Sequence, residues 1–253
     1  LEALRIAKRN NARVLAIVNA VGSSIAREAD DVFYILAGPE ISVASTKAFT
    51  AQVGAIELIA FNMAIECGAL SKEEFDTIKS EFYCLDTKIG QILDESEKIK
   101  ALAEKYSKSR NVFFIGRGLD YVVSKEGSLK LKEIAYLHSE AYAAGELKHG
   151  PIAMIDDETL VIAILTQEKL FDKTLSNIKE VKARGASVIA IAMEGNNIAA
   201  GEADDIIYIP RAMWSIAPVL GAVPAQLFAY YMAYWLGTDI DQPRNLAKSV
   251  TVE

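Results

Sequence analysis

The sequence predicts an α/β fold of two related, doubly wound parallel-sheet units, the first incomplete at its N-terminus, followed by a short C-terminal tail. Three observations carry this expectation: an internal repeat at constant offset, strand-like runs that are apolar at every position, and helix-period segments between them. When Val14-Leu15-Ala16-Ile17 is aligned with Val188-Ile189-Ala190-Ile191, Glu28 to Ile35 falls on Glu202 to Ile209 without a gap. Both blocks share an offset of 174 residues (188 − 14 and 202 − 28), at which Ala51-Gln52 also meets Ala225-Gln226.

Each copy reads as an amphipathic helix, a β-branched strand, a short helical turn, a second strand ending near Ile35 or Ile209, and a long apolar helix. The runs Val188 to Ala192 and Leu160 to Leu165 do not alternate, which is the pattern of strands buried on both faces of a parallel sheet. Helices are therefore expected on both sides. The second copy has more in front of it: a strand Asn111 to Gly116, a helix from about Leu119 to Leu137, and a strand Thr159 to Leu165. Position 111 minus 174 falls before residue 1, so the first copy is expected to lack its opening strands. Ligands of doubly wound sheets bind beyond the carboxyl ends of strands, so binding loops are expected in the missing part. The expected boundaries are 1–70 for the later half of the first unit, 71–106 for Glu/Lys-rich connecting helices, 107–238 for the second unit and 239–253 for the tail.

With 253 residues, 51% of them hydrophobic, the chain has ample material for a core. Its formal net charge of −7 offers no basic field, which argues against nucleic acid or an anionic membrane surface as partner. An anionic small substrate must then be held by local donors. Cys67 and Cys84 fit neither a CxxC nor a metal-ligand spacing, so no metal is expected and a reducing, cytoplasmic setting is the simplest reading. The most apolar run, Val53 to Ala64, includes Glu57 and Asn62 and reads as too short and too polar to span a bilayer.

The densest group of ionisable residues lies in Glu126-Gly127-Ser128-Leu129-Lys130-Leu131-Lys132-Glu133. On a helix Glu126, Lys130 and Glu133 stand at i, i+4 and i+7 and share a face. That face is either a solvated row of ion pairs or, turned into a cleft, an acid/base set. The preceding Phe114-Ile115-Gly116-Arg117-Gly118 favours the cleft, because a strand leading into a glycine-flanked turn is where α/β proteins place ligands. In the segment 142–151, Gly145, Gly150 and Pro151 put His149 on a turn, either as an ordinary surface histidine or as a general acid/base titrating near neutrality. The tail contains Pro243 and Lys248; such a terminus is either dispensable or, folded into a site, a source of a desolvated amine for imine chemistry. Between 40 and 50, Ser45 or Thr46 can cap the following helix, or the same N–H groups can face an anion or a sugar oxygen.

Taken together, Gly-Glu-Leu-Lys-His-Gly-Pro at 145–151, the Glu126 to Glu133 helix, Val-Ala-Ser-Thr-Lys-Ala-Phe-Thr at 43–50 and Asp-Gln-Pro-Arg-Asn-Leu-Ala-Lys-Ser-Val-Thr-Val-Glu at 241–253 resemble the glutamine–fructose-6-phosphate aminotransferase family over the whole chain. The resemblance implies two sugar isomerase (SIS) domains of flavodoxin-like topology and the conversion of fructose 6-phosphate to glucosamine 6-phosphate without metal or organic cofactor. It implies that Glu133 moves a proton between C1 and C2, that Lys130 stabilises charge on the enediol oxygen, and that Lys248 forms an imine with the ketose. His149 would help open the sugar ring in a neighbouring subunit's site, making the unit at least a homodimer. Val43, Ser45 and Ala247 match sugar-contacting positions. Two departures accompany the match: no counterpart of the family's N-terminal glutaminase domain is present, and its Ser-Gln-Ser-Gly-Glu-Thr phosphate loop belongs before Leu1. Ammonia would then come from a glutaminase partner domain. The competing readings are a non-catalytic SIS module sensing a sugar phosphate, which needs no imine-forming lysine, and a deglycase acting on fructosamine phosphates, against which the terminus argues.

Overall fold

The computed structural model describes residues 1–198 and 201–248; positions 249–253 of the expected tail lie outside the described residues. The chain divides into two compact units, Leu1–Phe75 and Asp76–Glu253.

The first unit contains α1 (Glu2–Arg9), β1 (Leu15–Val18), α2 (Ser24–Glu28), β2 (Asp31–Tyr34) and α3 (Lys47–Glu66). The two strands pair in parallel, Leu15 opposite Asp31. The start of α3 is capped neither by Ser45 nor by Thr46. Instead Glu40 Oε1 accepts from the Ser45 hydroxyl at 3.0 Å and from the N–H groups of Thr46 and Ala48 at 3.2 and 3.3 Å. A carboxylate satisfies several orphan donors at once and suits the positive end of the helix dipole, which explains why it displaces the hydroxyl caps. The helix also outruns the Val53 to Ala64 segment. At 20 residues it is long and apolar enough to cross a membrane by length and composition. Its repeat counterpart, α9 (Ala217–Leu236), has the same length and is largely buried, whereas α3 buries Ala48 and Ala55.

The second unit takes in most of α4 (Lys72–Tyr83), then α5 (Leu85–Asp94), α6 (Ser96–Lys105), β3 (Asn111–Gly116), α7 (Leu119–Lys130), a π-helical turn Leu131–Ala135, β4 (His138–Ala143), two 3-10 turns Ala144–His149 and Pro151–Met154, β5 (Leu160–Leu165), a further 3-10 turn Glu168–Leu170, α8 (Phe171–Lys182), β6 (Ser187–Met193), β7 (Asp205–Ile209) and α9. All five strands are parallel, in the order β4-β3-β5-β6-β7, the flavodoxin-like order. Every residue of β5 is buried, as its unbroken apolar run requires. One sheet face buries Phe113, Val161 and Val188 with Ile178 of α8.

The expected helix Leu119 to Leu137 is shorter than the pattern implied. It widens into the π turn, stops at Tyr136, whose φ is +55°, and gives way to β4. This strand was not anticipated because it is a polar edge strand: it pairs with β3 alone, and His138-Ser139-Glu140 breaks the apolar signal.

The duplication extends to individual bonds. Asp30 Oδ2 accepts from the N–H of Val14 at 2.9 Å while Lys8 pairs with its other oxygen; 174 residues on, Asp204 Oδ2 accepts from the N–H of Val188 at 2.7 Å and pairs with Lys182. Arg5–Glu28 and Lys179–Glu202 are likewise equivalent ion pairs, and β1–β2 and β6–β7 share one register, Leu15 opposite Asp31 and Ile189 opposite Asp205. In each copy a carboxylate just before the second strand ties down the chain entering the first.

Candidate active site

Helix α7 lies unusually close to the sheet. A Cβ on Gly127 would stand 2.5 Å from Phe114 Cε1 and 3.1 Å from the Ala225 methyl, so only glycine allows α7 to press against β3 and α9. That approach buries the helix face carrying the ionisable group. Lys130 is 3% exposed, its Nζ lies 3.9 Å from Glu126 Oε1, and it donates to Glu133 Oε2. Glu126 also accepts from Gln226 Nε2 of α9 at 3.3 Å. Burial pushes the Glu126 carboxyl up, partly offset by the Lys130 charge. The expectation that Glu126, Lys130 and Glu133 share a face is met, and the face is not a solvated row. Glu133, in the π turn, is the open member, with its side chain 24% exposed against 7% for Glu126 and 4% for Lys130. A buried cation thus stands behind a carboxylate that reaches solvent.

One part of the sequence argument is corrected. The glycine turn at 116–118 does not place ligand loops beside this group, because α7 runs away from it. At 1.5 Å per residue, Glu133 lies roughly 20 Å along the helix from that turn, toward the N-terminal ends of the strands, just before β4 begins. His149 lies beyond the C-terminal end of β4. Ala143, the last residue of β4, is paired with Gly116, and the 3-10 turn Ala144–His149 follows directly. Leu147 and Ala144 anchor this turn in the core, while the His149 side chain is 64% exposed with Nε2 4.0 Å from Glu146 Oε2. The turn's base rests on Arg117: a Cβ on Gly145 would lie 2.7 Å from Arg117 Nη2, and Arg117 is held by Asn177 Oδ1 at 2.9 and 3.1 Å. A single chain therefore does not bring His149 to Glu133.

The tail returns to the Glu133 end of the sheet. Thr238 Oγ1 donates to the carbonyl of Ile134 at 2.5 Å, and the N–H of Arg244 donates to the Tyr136 hydroxyl at 2.7 Å. Ala247 and Lys248 follow and are exposed. In the first unit, Val43 and Ser45 are half-buried in the segment capping α3, Ser45 bound to Glu40 as described. Sequence reasoning missed Tyr136, Gln226 and Arg117 because none stands in a recognisable pattern with the groups it serves; Gln226, inside the repeat's Ala-Gln pair, carried the only signal. Among the described residues no group of His, Cys, Asp or Glu could hold a metal ion. A groove of about 720 Å³ between α5, α6 and the β6–β7 edge, lined by Gln91, Lys98, Glu194 and Tyr208 among others, contains none of these groups.

The second unit is thus a doubly wound parallel sheet whose first strand is followed by a helix bearing the buried Glu126–Lys130–Glu133 face. A family profile described as SIS domain matches residues 1–61 and 105–236, and the chain belongs to that family. Over its whole length it is 55% identical to a protein of Clostridium tetani and 50% identical to one of Thermus thermophilus, both named glutamine–fructose-6-phosphate aminotransferase [isomerizing]. It spans 42% of the length of each. The C-terminal domain of glucosamine-fructose-6-phosphate aminotransferase from Francisella tularensis superposes with a TM-score of 0.92 at 36% identity, covering 95% of this chain and 68% of that one.

Proposed function

We propose that the chain is the isomerase and amino-acceptor portion of a glutamine–fructose-6-phosphate aminotransferase, turning fructose 6-phosphate and ammonia into glucosamine 6-phosphate and water. The observation that carries this reading is the Lys130–Glu133 pair with the C-terminal segment docked beside it. The Lys248 amine condenses with the C2 carbonyl and releases water; ammonia then displaces the lysine. The Glu133 carboxylate takes a proton from C1 and returns it to C2, which requires a base open to substrate. Lys130, already desolvated, stabilises negative charge on the oxygen of the enediol-type intermediate, whose C2 carries nitrogen once ammonia has entered, at little reorganisation cost. His149 opens the sugar ring from a second subunit, so the working unit is a homodimer. Its position beyond the opposite end of β4 from Glu133 supports this assignment. Val43, Ser45 and Ala247 contact the sugar, ammonia comes from a glutaminase domain, and the setting is cytoplasmic. No cofactor is called on.

Incubation of the protein with fructose 6-phosphate and borohydride, followed by peptide mapping, tests the reading. A reduced adduct on Lys248 that disappears in Lys248→Arg is expected. Sugar-phosphate binding without an adduct would instead indicate a sensor.

A further inference from the structure

We infer that Tyr136 is the post on which the C-terminal segment is set, a positioning residue that delivers Lys248 to the Glu133 carboxylate. This rests on the function proposed above. Tyr136 ends the π turn that carries Glu133, with φ +55° and ψ +27°. A left-handed residue suits that place, because the chain must stop coiling and enter β4 at His138. A bulky aromatic is nevertheless a poor choice on backbone grounds, since glycine or asparagine adopts the conformation at lower cost. The side chain therefore needs a reason of its own, and the tail supplies it.

The Tyr136 hydroxyl accepts from the N–H of Arg244, and the Arg244 guanidinium lies over the ring, 4.3 Å from its centroid. The approach is prepared on both sides. Thr238 is bonded to the carbonyl of Ile134, two residues before Tyr136. Asp239 Oδ1 accepts from the N–H groups of Asp241 and Gln242 at 3.1 and 2.8 Å, turning the chain toward a buried Pro243. Lys248 is four residues past Arg244, so once Arg244 is fixed the lysine Cα lies within roughly 14 Å of it. The strained residue that closes the Glu133 turn thereby also limits where the amine can go. Strain of this kind persists where the surroundings hold it in place, and here they join two elements far apart in sequence.

Tyr136→Phe keeps ring and backbone and deletes the acceptor; Tyr136→Ala deletes both; Arg244→Ala removes the cation from the other side. All three are to be made in the intact protein. Amide hydrogen exchange across 239–248 is measured without substrate, and the rate of borohydride-trapped adduct formation at Lys248 with fructose 6-phosphate. Loss of one hydrogen bond is expected to slow trapping about two- to tenfold in Tyr136→Phe, with faster tail exchange, an unchanged melting temperature and unchanged KM for the sugar phosphate. Tyr136→Ala is expected to lose more, and Arg244→Ala to add nothing on top of it. Wild-type trapping and tail exchange in folded Tyr136→Ala overturn the inference. If the wild-type protein forms no adduct on Lys248, the function reading fails and takes the delivery of the amine with it; the exchange data then report separately whether the tail docks on Tyr136.

Discussion

The Gly145 Cα packs so closely on the Arg117 guanidinium that a single methyl group would stand 2.7 Å from Nη2. The turn bearing His149 is thus seated on a side chain that is itself fixed by Asn177. Replacing Gly145 with Ala is expected to push Arg117 aside and shift the turn. A displacement of about 1 Å at a reacting group can cost on the order of a hundredfold in rate. On the function proposed above, steady-state formation of glucosamine 6-phosphate by Gly145→Ala, with circular dichroism to establish folding, checks this; a variant with parental activity would remove Arg117 from the account.

Among the described residues, Lys130 is the cation that pairs with both Glu126 and Glu133. Lys130→Met leaves buried negative charge uncompensated and is expected to lower stability by about 3–5 kcal/mol. Urea midpoints measure it. Adding Glu126→Gln to the same chain is expected to restore part of the loss, because the cost lies in the stranded charge rather than in the missing packing.

Gly127→Ala is expected to destabilise the second unit by about 1–3 kcal/mol, since the new methyl meets the Phe114 ring and the Ala225 methyl rather than a flexible chain end. Thermal melting resolves a change of that size. No shift in midpoint would mean that α7 can lift off the sheet freely.

Asp120 supplies a pH-dependent prediction. It is 1% exposed at the start of α7, where it accepts from the N–H groups of Thr166 and Gln167 at 2.9 and 3.2 Å and from the Thr166 hydroxyl. Burial outweighs these donors and raises its pKa from 3.8 to about 6. Between those values the folded chain binds more protons than the unfolded one, so this group makes stability fall as pH rises from about 4 to about 6. Asp120→Asn keeps an acceptor for both N–H groups and can donate to Thr166. It is expected to match the parent near pH 4 and exceed it at pH 7.5 by on the order of 2–3 kcal/mol. Chemical denaturation at the two pH values decides; equal pH slopes would show that Asp120 ionises in the fold as it does in water.

Much of the second unit was legible because its strands are buried on both faces and so carry an unbroken apolar signal. The repeat was legible for a deeper reason: Asp30 and Asp204 do the same job for Val14 and Val188, and a bond that fixes the chain constrains sequence at both ends. The Glu126–Lys130–Glu133 face followed from helical spacing alone, since the π turn begins only at Leu131, two residues before Glu133. What stayed hidden was orientation. Spacing placed the ionisable face on a helix after a glycine turn, but the turn was read as drawing ligand loops toward that face although the helix carries Glu133 about 20 Å away. β4 was masked by the polar composition that keeps an edge strand from pairing further, and Tyr136 and Arg117 act through contacts across more than 25 residues of chain, which no local pattern records.

The separation of His149 from Glu133 along the sheet has a consequence at the level of stoichiometry. If each centre borrows its histidine from a companion, two inactive variants, His149→Ala and Glu133→Gln, complement one another when their subunits are mixed and exchanged. Each hybrid then holds one doubly damaged centre and one untouched, so random pairing returns about a quarter of the parental turnover. On the same premise, diluting the parent until its subunits part is expected to erase that turnover.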